Sequence, residues 1–93
     1  MASVLSKAFP AALKEVRLHL SPIGSMSAGA RQFLQSNYAT IKQNNPNVPF
    51  LVREAQDTPA RVFVRFDRGV EKHAELDGLD NTEITKKITE LLS

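Results

Sequence analysis

The chain has 93 residues, 42% of them hydrophobic and 24% charged, which is typical of one soluble globular domain and excludes disordered and fibrous proteins. It contains no cysteine, and this excludes a disulfide framework, a thiolate nucleophile and cysteine-based zinc or iron–sulfur sites. Its net charge is only +2, and no apolar run approaches the roughly 20 residues of a membrane-spanning helix, so we expect no direct membrane insertion.

The first part of the chain is predicted to be an arm, residues 1–13, which precedes a domain spanning residues 14–93. The arm and the adjoining Lys14 contain serine, alanine and lysine but no acidic residue. This is the composition of a mitochondrial import segment in a weak form, because arginine is missing. We expect the arm to be retained and to assist targeting at most.

A strand opens the domain. Apolar and polar side chains alternate from Val16 to Leu20, which is the period of a half-buried strand. Pro22 and Gly24 then predict a turn, because proline cannot donate to a sheet ladder and glycine permits turn conformations.

A long amphipathic helix is predicted to follow. Ser25 or Ser27 can cap its start, and residues 44–46, Asn-Asn-Pro, end it. Gly29 weakens the helix and therefore indicates a close packing contact. Apolar side chains that recur every three or four residues predict the buried stripe: Ala30, Phe33, Leu34, Tyr38 and Ile41.

Three more strands are predicted after this helix. Residues 50–52 are continuously apolar, which favours a strand covered on both faces and central in the sheet. Residues 61–66 alternate and predict a third strand, and residues 70–76 predict a fourth. Gly69 supplies the positive φ that the hairpin between these two strands needs.

A second helix is predicted at the end of the chain. Asp80 and Glu83 form a capping box, and the apolar stripe behind it is Ile84, Ile88, Leu91 and Leu92. The order βαβ then ββα predicts an α/β fold, with one four-stranded mixed sheet and helices on both faces. The expected core contains Phe33, Phe50, Leu51, Val52, Val62, Val64 and Ile88.

No catalytic constellation is visible in the sequence. Glu71 and Glu75 flank His73 on one strand face, so a metal-binding patch is conceivable, although such side chains are more often simply solvated. The other histidine is His19. No serine or threonine stands in a nucleophile motif, and no glycine-rich nucleotide motif is present. We therefore predict that the protein is not an enzyme and has no catalytic, cofactor or metal site.

The charges are distributed unevenly. Residues 1–68 carry nine Lys and Arg against four Asp and Glu, whereas residues 69–93 carry three against six. This two-sided charge suits docking to a complementary surface, although a solvated surface explains the same numbers. Interspersed acids disfavour nucleic-acid binding. Because arginine suits protein interfaces, we predict four interface residues: Arg17, Arg53, Arg61 and Arg65.

Three segments carry a family resemblance that extends over residues 13–92. Residues 45–54, Asn-Pro-Asn-Val-Pro-Phe-Leu-Val-Arg-Glu, are its most specific part, and residues 13–20 and 29–34 share it. The chain resembles the small thioredoxin-fold accessory subunits of mitochondrial NADH:ubiquinone oxidoreductase, complex I of the respiratory chain.

The resemblance implies a thioredoxin-like fold and a non-catalytic subunit of this electron-transport complex of the mitochondrial inner membrane. It implies a place on the matrix side, in the peripheral arm near the NADH-oxidising module, and a role in assembly or stability. The large iron–sulfur subunit of that module is the implied partner. Mitochondrial large-subunit ribosomal proteins share the domain family, so RNA-associated assembly is the alternative.

The chain departs from some family members at two cysteine positions, where it has Ser21 and Ala55. Thiol redox sensing is therefore excluded, and so is a degenerate thioredoxin-like enzyme, because disulfide exchange needs a thiolate. Pro59 is the candidate for the cis-proline that often precedes the third strand of a thioredoxin fold.

Overall fold

A computed structural model describes residues 8–92. Its strands are β1 (Leu13–Leu20), β2 (Phe50–Glu54), β3 (Arg61–Phe66) and β4 (Glu71–Glu75), and its helices are α1 (Ala28–Asn44) and α2 (Asn81–Leu92). The strands form one sheet in the order β2-β1-β3-β4, in which only the β1–β2 pairing is parallel. The predicted α/β fold with a four-stranded mixed sheet is confirmed, in the predicted element order.

Both helices lie on the same face of the sheet, so the predicted placement on opposite faces is wrong. Strand pairing puts Val16 beside Val64 and Leu18 beside Val62, and these buried side chains share one face. The buried residues of the two helices belong to the same core cluster: Ala30, Phe33 and Ile41 of α1, and Ile84, Ile88 and Leu92 of α2. Tyr38, which was predicted in the buried stripe of α1, is 40% exposed. The alternate strand positions are mostly charged or histidine, and no helix in residues 8–92 covers them. No helix in that range is long and apolar enough to cross a membrane either.

Strand β2 lies at an edge of the sheet, which corrects its predicted central position. Among the described residues it pairs only with β1. Phe50 is buried as expected, but Leu51 and Val52 are only half-buried. Strands β1 and β3 occupy the central positions of the sheet. Their apolar and polar side chains alternate because helices cover only one face of the sheet. The other predicted core residues are confirmed as buried: Phe33, Val62, Val64 and Ile88.

The end of the predicted arm packs against the domain. Phe9 and Leu13 belong to the core, and β1 begins at Leu13 rather than Val16. The Phe9 N–H donates to Oδ1 of the buried Asn45 (2.7 Å), just beyond the end of α1. Residues 1–7, which include most of the predicted import segment, lie outside the described residues, and the division into arm and domain stays a prediction.

The turn between β1 and α1 is organised differently from the prediction. A short helical turn, Ser25–Ser27, precedes α1, and neither serine caps a helix with its side chain. The Ser27 hydroxyl instead accepts the Ser21 N–H (3.0 Å), and the Ser21 hydroxyl accepts the Gly24 N–H (2.9 Å). The Ser27 side chain therefore connects the start of α1 to the end of β1 through a hydrogen bond.

Gly29 is the point where α1 approaches the entry to α2. A Cβ at this position would lie 1.8 Å from the Leu79 carbonyl oxygen, so the predicted close contact is confirmed. The capping box of α2 is also confirmed, because the Glu83 N–H donates to Asp80 Oδ1 (2.8 Å) and the Asp80 N–H donates to Glu83 Oε1 (3.2 Å).

Two further turn predictions have different outcomes. Gly69 has φ +74°, as the β3–β4 turn requires, and the preceding Arg68 also has a positive φ of 64°. No peptide bond within residues 8–92 is cis, so the bond before Pro59 is trans.

Candidate functional site

The sheet face opposite the helices is the candidate interaction surface, called the open face below. Side chains alternate along each strand, so residues that are paired in register share this face. It contains Glu15, Arg17 and His19 from β1, Leu51 and Arg53 from β2, Arg61, Phe63 and Arg65 from β3, and Glu71, His73 and Glu75 from β4.

The four predicted interface arginines all lie on the open face. His19 pairs with Arg53 on one side and Arg61 on the other, while Arg65 pairs with Glu15. Arg17 is the register partner of Phe63 and lies between these positions. Residues separated by up to 48 positions in sequence are therefore brought to one surface. Their role in binding stays a prediction.

An aromatic cluster occupies the middle of the open face, and sequence reasoning did not single it out as functional. The half-buried Phe63 ring lies 4.8 Å from the His19 ring and 5.6 Å from the His73 ring, measured between centroids. The Arg17 guanidinium lies 5.4 Å from the Phe63 centroid, within cation–π range. The signal that points to this cluster is a phenylalanine on the polar side of the alternating strand β3.

Acidic side chains pair with three of the four arginines. Arg17 contacts Glu15 (3.1 Å) and Glu71 (3.2 Å), and Arg61 contacts Glu75 (2.7 Å). Arg65 lies 3.6 Å from Glu15. The Arg61–Glu75 pair is exposed and is worth about 1 kcal/mol or less, so a partner's carboxylate can replace Glu75 at little cost. The Glu15 carboxylate, in contrast, is only 18% exposed.

Arg53 differs from the other arginines of the open face. It is exposed and makes no ion pair with any residue of the described range. Its charge is therefore available to an acidic group on a binding partner.

His19 lies among three arginines on the open face, and its surroundings lower its pKa. Burial beside the sheet lowers its pKa from 6.5, and the positive charges of Arg17, Arg53 and Arg61 lower it further. The neutral imidazole is thereby favoured near neutral pH, which suits stacking against Phe63.

The described residues contain no group of three side chains that could hold a metal ion. Glu71 and Glu75, which flank His73 in the conceivable metal patch, are paired with Arg17 and Arg61. Ser21 and Ala55, where the resemblance implies cysteine in some family members, directly follow β1 and β2, and the Ala55 N–H donates to the Leu20 carbonyl. The chain has no thiol at either position.

A family model described as the mitochondrial ribosomal protein L51 / S25 / CI-B8 domain matches residues 30–81. This segment runs from the first turns of α1 to the start of α2 and includes β2, β3 and β4. The chain belongs to this domain family.

Curated relatives of this family resemble the chain over most of its length. The NADH-ubiquinone oxidoreductase 10.5 kDa subunit of Neurospora crassa is 40% identical over 85 residues, covering 91% of this chain and 90% of that protein. Proteins named NADH dehydrogenase [ubiquinone] 1 alpha subcomplex subunit 2 are 36% identical in Arabidopsis thaliana and 33% identical in Mus musculus. These cover 86% and 87% of the chain, respectively, and 82% of each relative. The family resemblance predicted from residues 13–92 is confirmed.

Proposed function

We propose that this protein is a non-catalytic accessory subunit of respiratory complex I, which supports the assembly or stability of the complex. The names of the relatives and their nearly full-length coverage support this proposal. The proposed location is the mitochondrion, on the matrix side of the inner membrane, in the peripheral arm near the NADH-oxidising module.

The fold we propose is thioredoxin-like without a redox centre. A parallel β1–β2 pair followed by an antiparallel β3–β4 hairpin, with α1 and α2 on one face, supports this assignment. The resemblance implies a cysteine pair in some family members at the positions of Ser21 and Ala55, so we propose that this scaffold serves recognition in place of disulfide exchange.

The open face is the proposed docking surface. Its aromatic and cationic side chains are the observation that supports a binding role in place of a catalytic one. Phe63 and Arg17 offer an aromatic and cationic centre, and arginines with exchangeable partners surround it. Aromatic residues and arginine are enriched at protein interfaces and supply much of their binding energy. We propose an acidic, partly apolar surface of a neighbouring subunit as the partner, with the large iron–sulfur subunit of the NADH module as the specific candidate.

The alternative is a mitochondrial large-subunit ribosomal protein, because the matching family description includes ribosomal proteins. A surface that binds RNA through phosphates needs uncompensated positive charge. Glu15, Glu71 and Glu75 compensate most of the charge of the open face, which favours a protein partner.

A native separation of mitochondrial complexes tests the proposed function. The protein is tagged at its C-terminus, mitochondria are solubilised in mild detergent, and proteins that co-migrate with the tag are identified by mass spectrometry. We expect co-migration with NADH dehydrogenase activity and the iron–sulfur subunits. Co-migration with the large ribosomal subunit would overturn the proposal in favour of the alternative.

A further inference from the structure

A groove runs between the outer edge of β2 and helix α1. Its volume is about 580 Å³, and it is lined by Leu34, Gln35, Tyr38 and Ala39 from α1 and by Phe50, Leu51, Val52 and Glu54 from β2. The Tyr38 ring contacts the Phe50 ring edge-on at 5.6 Å and is 40% exposed. The groove therefore combines an apolar floor with an accessible strand edge.

The backbone of β2 has hydrogen-bonding groups that point into this groove. The Val16 N–H donates to the Pro49 carbonyl (3.0 Å), and the Ala55 N–H donates to the Leu20 carbonyl (3.3 Å). In a parallel pair the groups of alternate residues point to the same side, so Leu51 and Arg53 turn toward β1. The N–H and C=O groups of Phe50, Val52 and Glu54 turn outward, and β2 has no strand on that side within residues 8–92.

The sequence of β2 is unusual for an edge strand. Its run Phe50-Leu51-Val52 is apolar on both faces, whereas exposed edges are normally protected by charge, proline or a covering element. Both faces of this run are only partly covered by the described chain, because Leu51 and Val52 remain half-buried. An added strand would cover both.

The charges at the end of β2 indicate which side chains a strand bound at this edge would need. Arg53 faces the open face and Glu54 faces the groove, and neither has an ion pair within the described residues. Cross-strand neighbours share a face, so a complementary strand has apolar residues opposite Phe50 and Val52 and a basic residue opposite Glu54. An acidic residue opposite Arg53 completes the pattern.

Antiparallel pairing of β2 with a second copy of this chain, centred on Val52, does not meet these requirements. Antiparallel self-pairing of β2 about Val52 would place the Glu54 carboxylate beside the Phe50 ring and Arg53 beside Leu51. Neither charge would gain a partner, so the pattern favours a different polypeptide.

We propose that the edge of β2 binds an extended segment of a neighbouring subunit, which adds a fifth strand to the sheet and inserts alternate apolar side chains into the groove. This proposal rests on the proposed function only in calling the neighbour a subunit of the same complex. The binding site shares Arg53 with the open face and lies apart from the aromatic cluster at the centre of that face.

Hydrogen exchange at single amides tests the added strand. The amides of residues 50, 52 and 54 are compared in the isolated protein and in the native assembly purified through the tag. We expect exchange at these amides to slow by at least about tenfold in the assembly, because each gains a strand partner. The inward amides of residues 51, 53 and 55 bond to β1 and serve as an internal control that is protected in both samples. Equal exchange at the outward amides in both samples would overturn the proposal.

A pair of substitutions tests the groove itself. Ala39→Trp fills the groove from α1, whereas Thr40→Trp adds the same bulk at an exposed neighbouring position that does not line it. We expect A39W to lose protection of the outward amides while T40W keeps it, with both isolated proteins melting near the wild-type temperature. Retained protection in A39W, or cross-links in the groove that join two copies of this chain, would refute the proposal.

If the purified assembly lacks NADH dehydrogenase activity, the proposed function fails, yet the exchange pattern still decides for or against the added strand.

Discussion

Ser27 has a structural role that differs from the one its sequence position predicts. Ser25 and Ser27 were alternative predicted caps of α1, but the Ser27 hydroxyl accepts the buried Ser21 N–H, and Ser27 is almost fully buried itself. Removing the hydroxyl leaves that N–H without a partner, and an unsatisfied buried donor costs about 1–3 kcal/mol.

The substitutions Ser27→Ala and Ser25→Ala separate these two roles. We expect S27A to lower the free energy of unfolding by about 1–3 kcal/mol, and S25A to change it by less than about 0.5 kcal/mol, because Ser25 is exposed. Urea unfolding of the two variants measures both values. Equal losses would contradict the role assigned to the Ser27 hydroxyl.

His19, on the open face, makes the free energy of unfolding depend on pH. Its folded-state pKa lies below 6.5, chiefly through burial and then through Arg17, Arg53 and Arg61, so the unfolded chain binds its proton more readily. The free energy of unfolding therefore contains a contribution that is present above the unfolded pKa and is lost as pH falls toward the folded pKa.

The substitution His19→Gln is expected to remove this contribution. Between about pH 8 and about pH 5, the free energy of unfolding of H19Q should fall less than that of the wild type. An NMR titration of the His19 ring checks the premise directly. A His19 pKa at or above 6.5 in the folded protein would contradict it.

At the scale of elements, the contact between α1 and the segment entering α2 fixes the helical layer. Gly29 has no space for a side chain, because a Cβ would lie 1.8 Å from the Leu79 carbonyl oxygen and 3.1 Å from the Asp80 Cα. A backbone atom cannot move away as a flexible side chain can, so one of the two segments must shift.

The substitution Gly29→Ala tests this packing. We expect it to lower the free energy of unfolding by about 3 kcal/mol, despite the better helix propensity of alanine, because overpacking at backbone outweighs that gain. The reverse change on the exposed side of the same helix, Ala39→Gly, should cost only about 1 kcal/mol. Thermal unfolding of both variants measures the difference, and a stabilised G29A would show that the two segments are free to separate.

The elements were predictable where local chemistry determines them. The capping box of α2, the proline that ends α1 and the glycine turn of the hairpin each depend on neighbouring residues, and each was confirmed. The place of β2 depends on which strand its edge meets, which a short apolar run does not specify. The shared face of the helices depends on where α1 meets Leu79, a contact between distant segments.

At the scale of the whole molecule, one face of the sheet packs against the two helices and the other face is exposed to solvent. The arginines of the open face were predictable because arginine suits protein interfaces, and three of them, Arg17, Arg61 and Arg65, stand at polar positions of alternating strands. Their common surface became apparent only through strand pairing, which brings Arg53 of β2 to within two strands of Arg61. The Phe63 cluster was missed because a single aromatic residue in a strand normally indicates core.

The substitution Arg53→Glu tests the central claim most directly, because Arg53 is exposed and has no ion pair in the described part of the chain. The matched control is Arg68→Glu, an exposed arginine in the β3–β4 turn and off the open face. The tagged variants are expressed in mitochondria, and the fraction that co-migrates with NADH dehydrogenase activity is measured beside the melting temperature of each isolated protein. We expect R53E to reduce that fraction about tenfold or more with little change in melting temperature, since a reversed charge meets a like charge across the interface, and R68E to behave as the wild type. Undiminished incorporation of R53E would contradict docking through the open face.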